Sequence, residues 1–365
     1  MNKLFLAFVI FALLSIVLNY EQVVSIGLTT LFIGVQYMFV NYDTNHDTNQ
    51  NVTGGKEKNL LIKLEDIPEE MKWPDGKWKY DVVSHAKHKG QRKLLITELM
   101  FLTMYDELSD YVIYAGYAPC YKLKALYDLF PDKTWILVDP RAIARNVDSN
   151  TAFLKYDFGP SSVKLSVDKK DWVKTIKKKE YRGYVIQDLF TIDLCKLFAE
   201  LKCLFISDIR TVLDGKNIED IDILYNTAQH YEWLKVLKPK KFMLKARNPY
   251  WFHIDNTDEF SYDKFPSGEI PEGKWITDYK AGKFRQLAGD NYIQSYPPIH
   301  STEYRVVGGP EVKLVYQDRK KMENLFYTYN SKYRKDYALM NHYIKQYCKK
   351  YKKDFKKIQK LIKTY

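Results

Sequence analysis

The stretch "DYVIYAGYAPCYKLKAL" (residues 110–126) reads as a buried strand, a tight turn at Gly116, and a helix beginning near Pro119. A strand-to-helix turn of this kind is where a Rossmann-type sheet holds a nucleotide-like cofactor. A dinucleotide fingerprint carries three glycines at the turn, and this one carries a single glycine.

Outward from it, helix and strand alternate. "QRKLLITELMFLTMY" has apolar residues at helical spacing and precedes the strand 111–115; a helix over 119–130 follows it. Further strands are expected at "TWILVD" (134–139), "AFLKYDF" (152–158), "CLFISD" (203–208), "KKFMLKA" (240–246) and "TEYRVVG" (302–308). Helices are expected near 168–179 and over 217–237. Short apolar strands between helices predict an α/β fold, a mostly parallel sheet with helices on both faces. Ligands bind such sheets at the carboxyl ends of the strands. Gly116, Asp139, Asp208 and Lys245 stand at those ends and are expected to face one crevice.

Asp139 comes about 20 residues after the glycine turn, where a carboxylate in this fold accepts hydrogen bonds from a ribose diol. With one glycine and Pro119-Cys120 opening the helix, the turn makes a poor pyrophosphate cradle. It fits an adenosine-type ligand without a diphosphate, S-adenosyl-L-methionine, although a glycine after a strand is often only a turn. Asp208 and Lys245 end successive strands. Their pairing is either a structural ion pair or a lysine held and lowered in pKa to act as a base towards an alcohol. Lys93, on the preceding helix, would depress that pKa further by repulsion, and Glu303 would balance the cluster. The four cysteines show no Cys-x-x-Cys pair, so neither a zinc site nor a disulfide framework is expected, and no metal is called for.

The flanks differ from the body. The net charge is +12, and residues 319–365 hold fifteen Lys or Arg against three acids, so the rest is near neutral. This basic, tyrosine-rich tail suggests a polyanionic partner, either nucleic acid or an anionic membrane, with a solvated helix whose lysines keep the protein soluble as the alternative. At the other end, residues 4–18 and 23–40 are apolar runs, expected to form a membrane hairpin or a pair of short spans, with a buried helical pair as the alternative. Residues 41–59 are polar and Asn-rich and end in Gly-Gly, as a linker does. The expected division is a hydrophobic anchor-like segment (1–40), a linker (41–60), a Rossmann-like domain (61–318) and a basic helical tail (319–365).

Lys93, Asp208, Lys245 and Glu303, in that order, resemble the Lys–Asp–Lys–Glu tetrad of mRNA cap ribose 2′-O-methyltransferases. The surrounding segments "GQRKLLITELMFL", "VIYAGYAP", "WILVDPR", "LFISDIR", "LKARNPY" and "IHSTEYR" resemble the poxvirus branch, whose enzyme is also the poly(A) polymerase small subunit. The similarity runs from about residue 88 to 330.

The resemblance implies S-adenosyl-L-methionine-dependent methyl transfer to the ribose 2′-hydroxyl of the first transcribed nucleotide of capped mRNA. Lys245 would be the general base, Asp208 and Lys93 would position and tune it, and Glu303 would orient the lysines. Gln91, Tyr114, Gly116, Pro119, Cys120, Asp139 and Arg141 would meet the cofactor. Arg210, Arg247, Tyr250, His300 and Ser301 would meet the RNA.

It further implies a viral protein in the host cytoplasm, in the viral factory or the virion, with a poly(A) polymerase catalytic subunit as partner. The chain departs from the family pattern at several places. Cys120 stands where the family has a second glycine. Of the aromatic pair that holds the methylated guanine, Tyr250 matches one ring and His300 stands at the other, with Trp73 or Trp78 as an upstream partner. The acids by which the family reads the guanine edge are not evident, and Phe252 and Arg319 stand near their expected places. These departures motivate a second reading, a non-catalytic RNA-binding or processivity subunit that keeps the fold and lacks cofactor affinity.

Overall fold

Tyr111–Ala115 forms strand β1, and its run of five apolar or aromatic residues is buried along nearly its whole length. A strand covered on both faces has no polar side, so the run shows no alternation. In the computed structural model of this protein the described residues are 60–74, 89–119, 121–142, 150–155, 165–211, 220–249 and 281–365. Among them β1 lies between β2 (Thr134–Val138) and β5 (Leu204–Ser207), parallel to both. On the β2 side follow β4 (Gly183–Ile186) and β3 (Thr151–Lys155). On the β5 side follows β6 (Lys241–Arg247), also parallel. β9 (Glu303–Gly308) then pairs antiparallel with β6, and β8 (Asp290–Tyr292) antiparallel with β9. The order is β3-β4-β2-β1-β5-β6-β9-β8. The chain leaves β1 to one side and returns on its other side at β5, so the strand order reverses beside Gly116 and Asp208, where a crevice opens in such sheets.

Helices cover both faces, as the alternation of elements predicts. One layer holds α1 (Lys89–Tyr105) and α2 (Leu123–Leu129), with Leu95, Leu99 and Leu126 in one core with Val112 and Tyr114 of β1. The opposite core takes Ile113 and Ala115, with α3 (Trp172–Lys177), α4 (Ile192–Phe198) and α5 (Asp220–Leu237). A separate antiparallel ribbon joins β7 (Lys283–Leu287) to β10 (Leu314–Asp318).

The helix expected over 119–130 begins only at Leu123, with residues 121 and 122 in a turn. The strand expected over 134–139 ends at Val138 and leaves Asp139 in the loop, with its backbone N–H on Ile186 O. Three helices close the chain: α6 (Arg319–Thr328), α7 (Asp336–Tyr351) and α8 (Phe355–Lys363). They belong to the same compact unit, Leu60–Tyr365. Leu339, Met340 and Ile344 of α7 are fully buried in the core that α1 lines, and Tyr347 donates to Leu129 O at 2.8 Å. The lysines of this segment alternate with apolar and aromatic residues at helical spacing, which supplies the buried face. The anchor-like segment 1–40 and the linker to residue 59 lie outside the described residues. Among the described residues no helix is long and apolar enough to cross a membrane.

Candidate active site

The turn after β1 is held from two sides. Gly116 has φ +77°, and a β-carbon there would lie 2.9 Å from Ile209 N and 3.0 Å from the carbonyl carbon of Asp208. Only glycine lets β1's exit pass so close to β5's exit. Asp139, almost wholly buried, ties the same turn to β2. Its Oδ2 accepts from Ala118 N at 3.0 Å, and its Oδ1 accepts from Arg141 N at 2.8 Å and Nε at 3.1 Å. Arg141 Nη2 also donates to Asp139 Oδ2 at 3.1 Å and to Ala118 O at 2.9 Å. The hydrogen bond to Asp139 holds the Arg141 guanidinium above its ordinary pKa. Pro119 sits within this turn, and Cys120 lies outside the described residues. Gln91 lies on the first turn of α1, half-buried. Tyr114 is buried, and its hydroxyl donates at 2.5 Å to Glu98, itself paired with Lys122 at 2.7 Å.

Beside the turn, four cations surround two carboxylates. Lys245, level with Asp208 because Ser207 pairs with Leu244, has Nζ 3.3 Å from Asp208 Oδ1 and 3.8 Å from Glu303 Oε2. Lys93 reaches down from α1 to Glu303 Oε1 at 2.9 Å. Arg210 lies 3.3 Å from Glu303 Oε2. Arg305 lies 2.9 Å from Asp208 Oδ1 and 3.7 Å from Glu303 Oε1. Glu303 and Arg305 alternate along β9 and so share one face. The four tetrad positions are thus one contact network, 14–19% exposed, with Arg305 as its floor at 2%.

Burial pushes the Lys245 ammonium below its ordinary pKa. Asp208 and Glu303 oppose the shift, Arg305 and Arg210 add to it, and the net is downward. Burial pushes Glu303 up, but Lys93, Lys245, Arg305 and Arg210 outweigh it and hold the carboxyl well below the usual range. Asp208 is held low in the same way by Lys245 and Arg305 against its burial. The arrangement holds a lysine of lowered pKa between two carboxylates that are themselves held low. That is what a base towards an alcohol requires.

The residues expected at the RNA are partly brought together. Arg247 is half-buried at the end of β6, opposite Glu303 in the register. Ser301 Oγ accepts from Glu303 N at 3.3 Å and so holds the start of β9. His300 lies edge-on to Trp73 at 6.0 Å and parallel to Tyr327 at 6.4 Å. Arg319 is fully buried, with Nη2 3.7 Å from Asp220 Oδ2, so it faces the interior rather than a ligand. Tyr250, Phe252 and Trp78 lie outside the described residues.

Sequence reasoning misses Arg305. An arginine in an otherwise apolar strand is a signal for it, because a buried guanidinium needs carboxylate partners.

Residues 56–364 match the profile of the family described as Poly A polymerase regulatory subunit. A cap-specific mRNA (nucleoside-2′-O-)-methyltransferase of Fowlpox virus (strain NVSL) is 27% identical over 259 residues, 68% of this chain and 64% of that protein. The protein of the same name from Myxoma virus (strain Lausanne) is 25% identical over 260 residues, 67% of this chain and 61% of that one. The chain therefore spans just under two thirds of the length of these relatives. Among solved structures, bluetongue virus VP4, described as a multifunctional RNA-capping production line, aligns over 74% of this chain and 35% of that one. The identity there is 11% and the TM-score 0.38, too low to argue from.

Proposed function

The chain belongs to the poly(A) polymerase regulatory subunit family, and from that premise we propose that it methylates the ribose 2′-hydroxyl of the first transcribed nucleotide of capped mRNA. The observation that carries the reading is the Lys93–Glu303–Lys245–Asp208 network beside the Gly116 turn.

The donor set fits S-adenosyl-L-methionine. Asp139 offers a buried carboxylate at the position expected for a ribose diol, and the single-glycine turn needs no room for a diphosphate. Gly116, Pro119, Asp139 and Arg141 would hold it, with Gln91 at the rim. Bound, it supplies an electrophilic methyl group. Asp139's four lone-pair positions already carry four protein donors. Its diol acceptor is freed when the exposed Arg141 side chain moves off it.

Lys245 Nζ, unprotonated, accepts the proton of the 2′-hydroxyl and leaves the oxygen nucleophilic. Asp208 and Glu303 fix the direction of that amine and stabilise the ammonium it becomes. Lys93 and Arg305 keep both carboxylates ionised, so the proton does not pass on to them. The surplus of cations over acids draws the phosphates of the substrate into the crevice. The family's description supports a poly(A) polymerase catalytic subunit as partner, and the resemblance to the poxvirus branch is the ground for proposing action in the host cytoplasm.

Labelled methyl transfer into a capped oligoribonucleotide tests the reading. Wild-type transfer is expected to rise with pH through a group titrating below an ordinary lysine, because only the neutral amine is a base. Lys245→Arg is expected to lose the rate by about 100-fold or more, the usual contribution of a general base. No transfer by wild type, or full transfer by Lys245→Ala, would refute it.

A further inference from the structure

α8 carries lysines that the fold's own acids leave uncompensated. At about 100° per residue, Phe355, Ile358, Leu361 and Ile362 share one side of the helix and pack on the core beneath α1. Lys356, Lys360 and Lys363 lie together on the opposite side, with Lys357 beside them. Lys352, Lys353, Lys356, Lys357 and Lys360 are all exposed, and none of the five pairs with a carboxylate among the described residues. Lys350, by contrast, is neutralised by Asp106 at 2.6 Å and Glu107 at 3.0 Å. The segment's one acid, Asp354, is engaged as the helix cap, accepting from Lys357 N at 2.8 Å.

The row also has a direction. Arg92 Nη2 donates to the carbonyl of Lys363 at 2.7 Å, so the carboxyl end of α8 abuts the first turn of α1. The next residue on that turn is Lys93, whose ammonium sits in the candidate site. A strip of positive charge about 10 Å long from Lys356 to Lys363, at 1.5 Å per residue, therefore ends beside the candidate site. The negative end of the helix dipole is met there by Arg92.

We propose that the lysine face of α8 is a track for the phosphodiester chain of the RNA substrate downstream of the nucleotide in the site. The proposal rests on the capped-RNA reading above. Lysine ammoniums on phosphates hold a strand in place without reading its sequence, which suits an enzyme that acts on transcripts of every sequence. A bilayer is the poorer occupant: the apolar side of α8 is turned into its own core, and a surface-lying helix needs that side for the lipid.

The triple variant Lys356→Gln/Lys357→Gln/Lys360→Gln removes three charges from exposed positions outside the core, and an unchanged melting temperature shows it folded. On a labelled uncapped oligoribonucleotide, the slope of log affinity against log salt is expected to flatten by about 2, at about 0.7 per phosphate contact on a single strand. KM for a long capped RNA is expected to rise about tenfold, with kcat and the KM for a cap dinucleotide unchanged. An unchanged slope and KM would overturn the track. So would loss of binding to phosphatidylserine vesicles with RNA binding intact. If wild type methylates no capped RNA the transfer reading fails, and the salt slope on uncapped RNA still decides the track.

Discussion

At Gly116, two demands meet in one residue: a left-handed backbone and a close approach by the backbone of Asp208–Ile209. Gly116→Ala must adopt a conformation that costs an L-residue about 1–2 kcal/mol, and must push apart two strand exits that carry site residues. We expect a lower melting temperature and weaker cofactor binding together, measured by thermal unfolding with and without cofactor. The need for glycine here was legible in the sequence, but its cause was not. The turn was expected to meet a ligand, and the atoms that crowd it belong to Asp208 and Ile209, just past the end of β5. Asp208, Lys245 and Glu303 were legible because strand ends mark them. Arg305 was not, since its two partners are its near neighbour Glu303 and an aspartate almost a hundred residues earlier, brought together only by sheet pairing.

Among elements, the joint between α1, β1 and the start of α2 governs the site. Lys122 and Glu98 form an ion pair at 2–1% side-chain exposure, with the Tyr114 hydroxyl on the same carboxylate. The pair ties the end of the cofactor turn to the helix that carries Lys93. Removing one partner strands a buried charge, so Lys122→Met is expected to destabilise by about 3–5 kcal/mol. Lys122→Met combined with Glu98→Leu should recover much of that loss, as read by denaturant unfolding of both variants. Equal loss in the single and double variants would remove the pair from this role. Glu98 was illegible as a buried residue because a glutamate in a helix normally faces solvent. Among strands, those with four or more apolar residues in a row announced themselves. β4, "GYVI", is short and follows a basic loop, while β7, "KFRQL", is mostly polar and β10, "LVYQD", is largely exposed, so none of the three stood out.

For the molecule as a whole, the carboxy-terminal helices answer to two requirements at once. Their lysines face out, and their aromatic and aliphatic residues complete the core under α1, so charge and stability there are separable. Ile362→Ala, at a fully buried position, is expected to cost about 2–5 kcal/mol by cavity formation. The loss should appear as a lower denaturant midpoint, with the salt dependence of RNA binding unchanged. A midpoint equal to wild type would mean that α8 lies on the body without supporting it. β9 has a wider consequence. It presents Glu303 and Arg305 to the cluster and Tyr304 to the opposite core, and among the described residues it is the one site-bearing strand that runs against the rest. A slip of one residue against β6 would bring the Tyr304 ring among the charges and bury both ionic groups in the aromatic layer. Such a chain could keep its helices and much of its sheet and still lack the Lys245 cluster. Under the proposed function, methyl transfer would therefore act as a readout of correct assembly, reporting misfolded copies that spectroscopic measures of secondary structure would pass as intact.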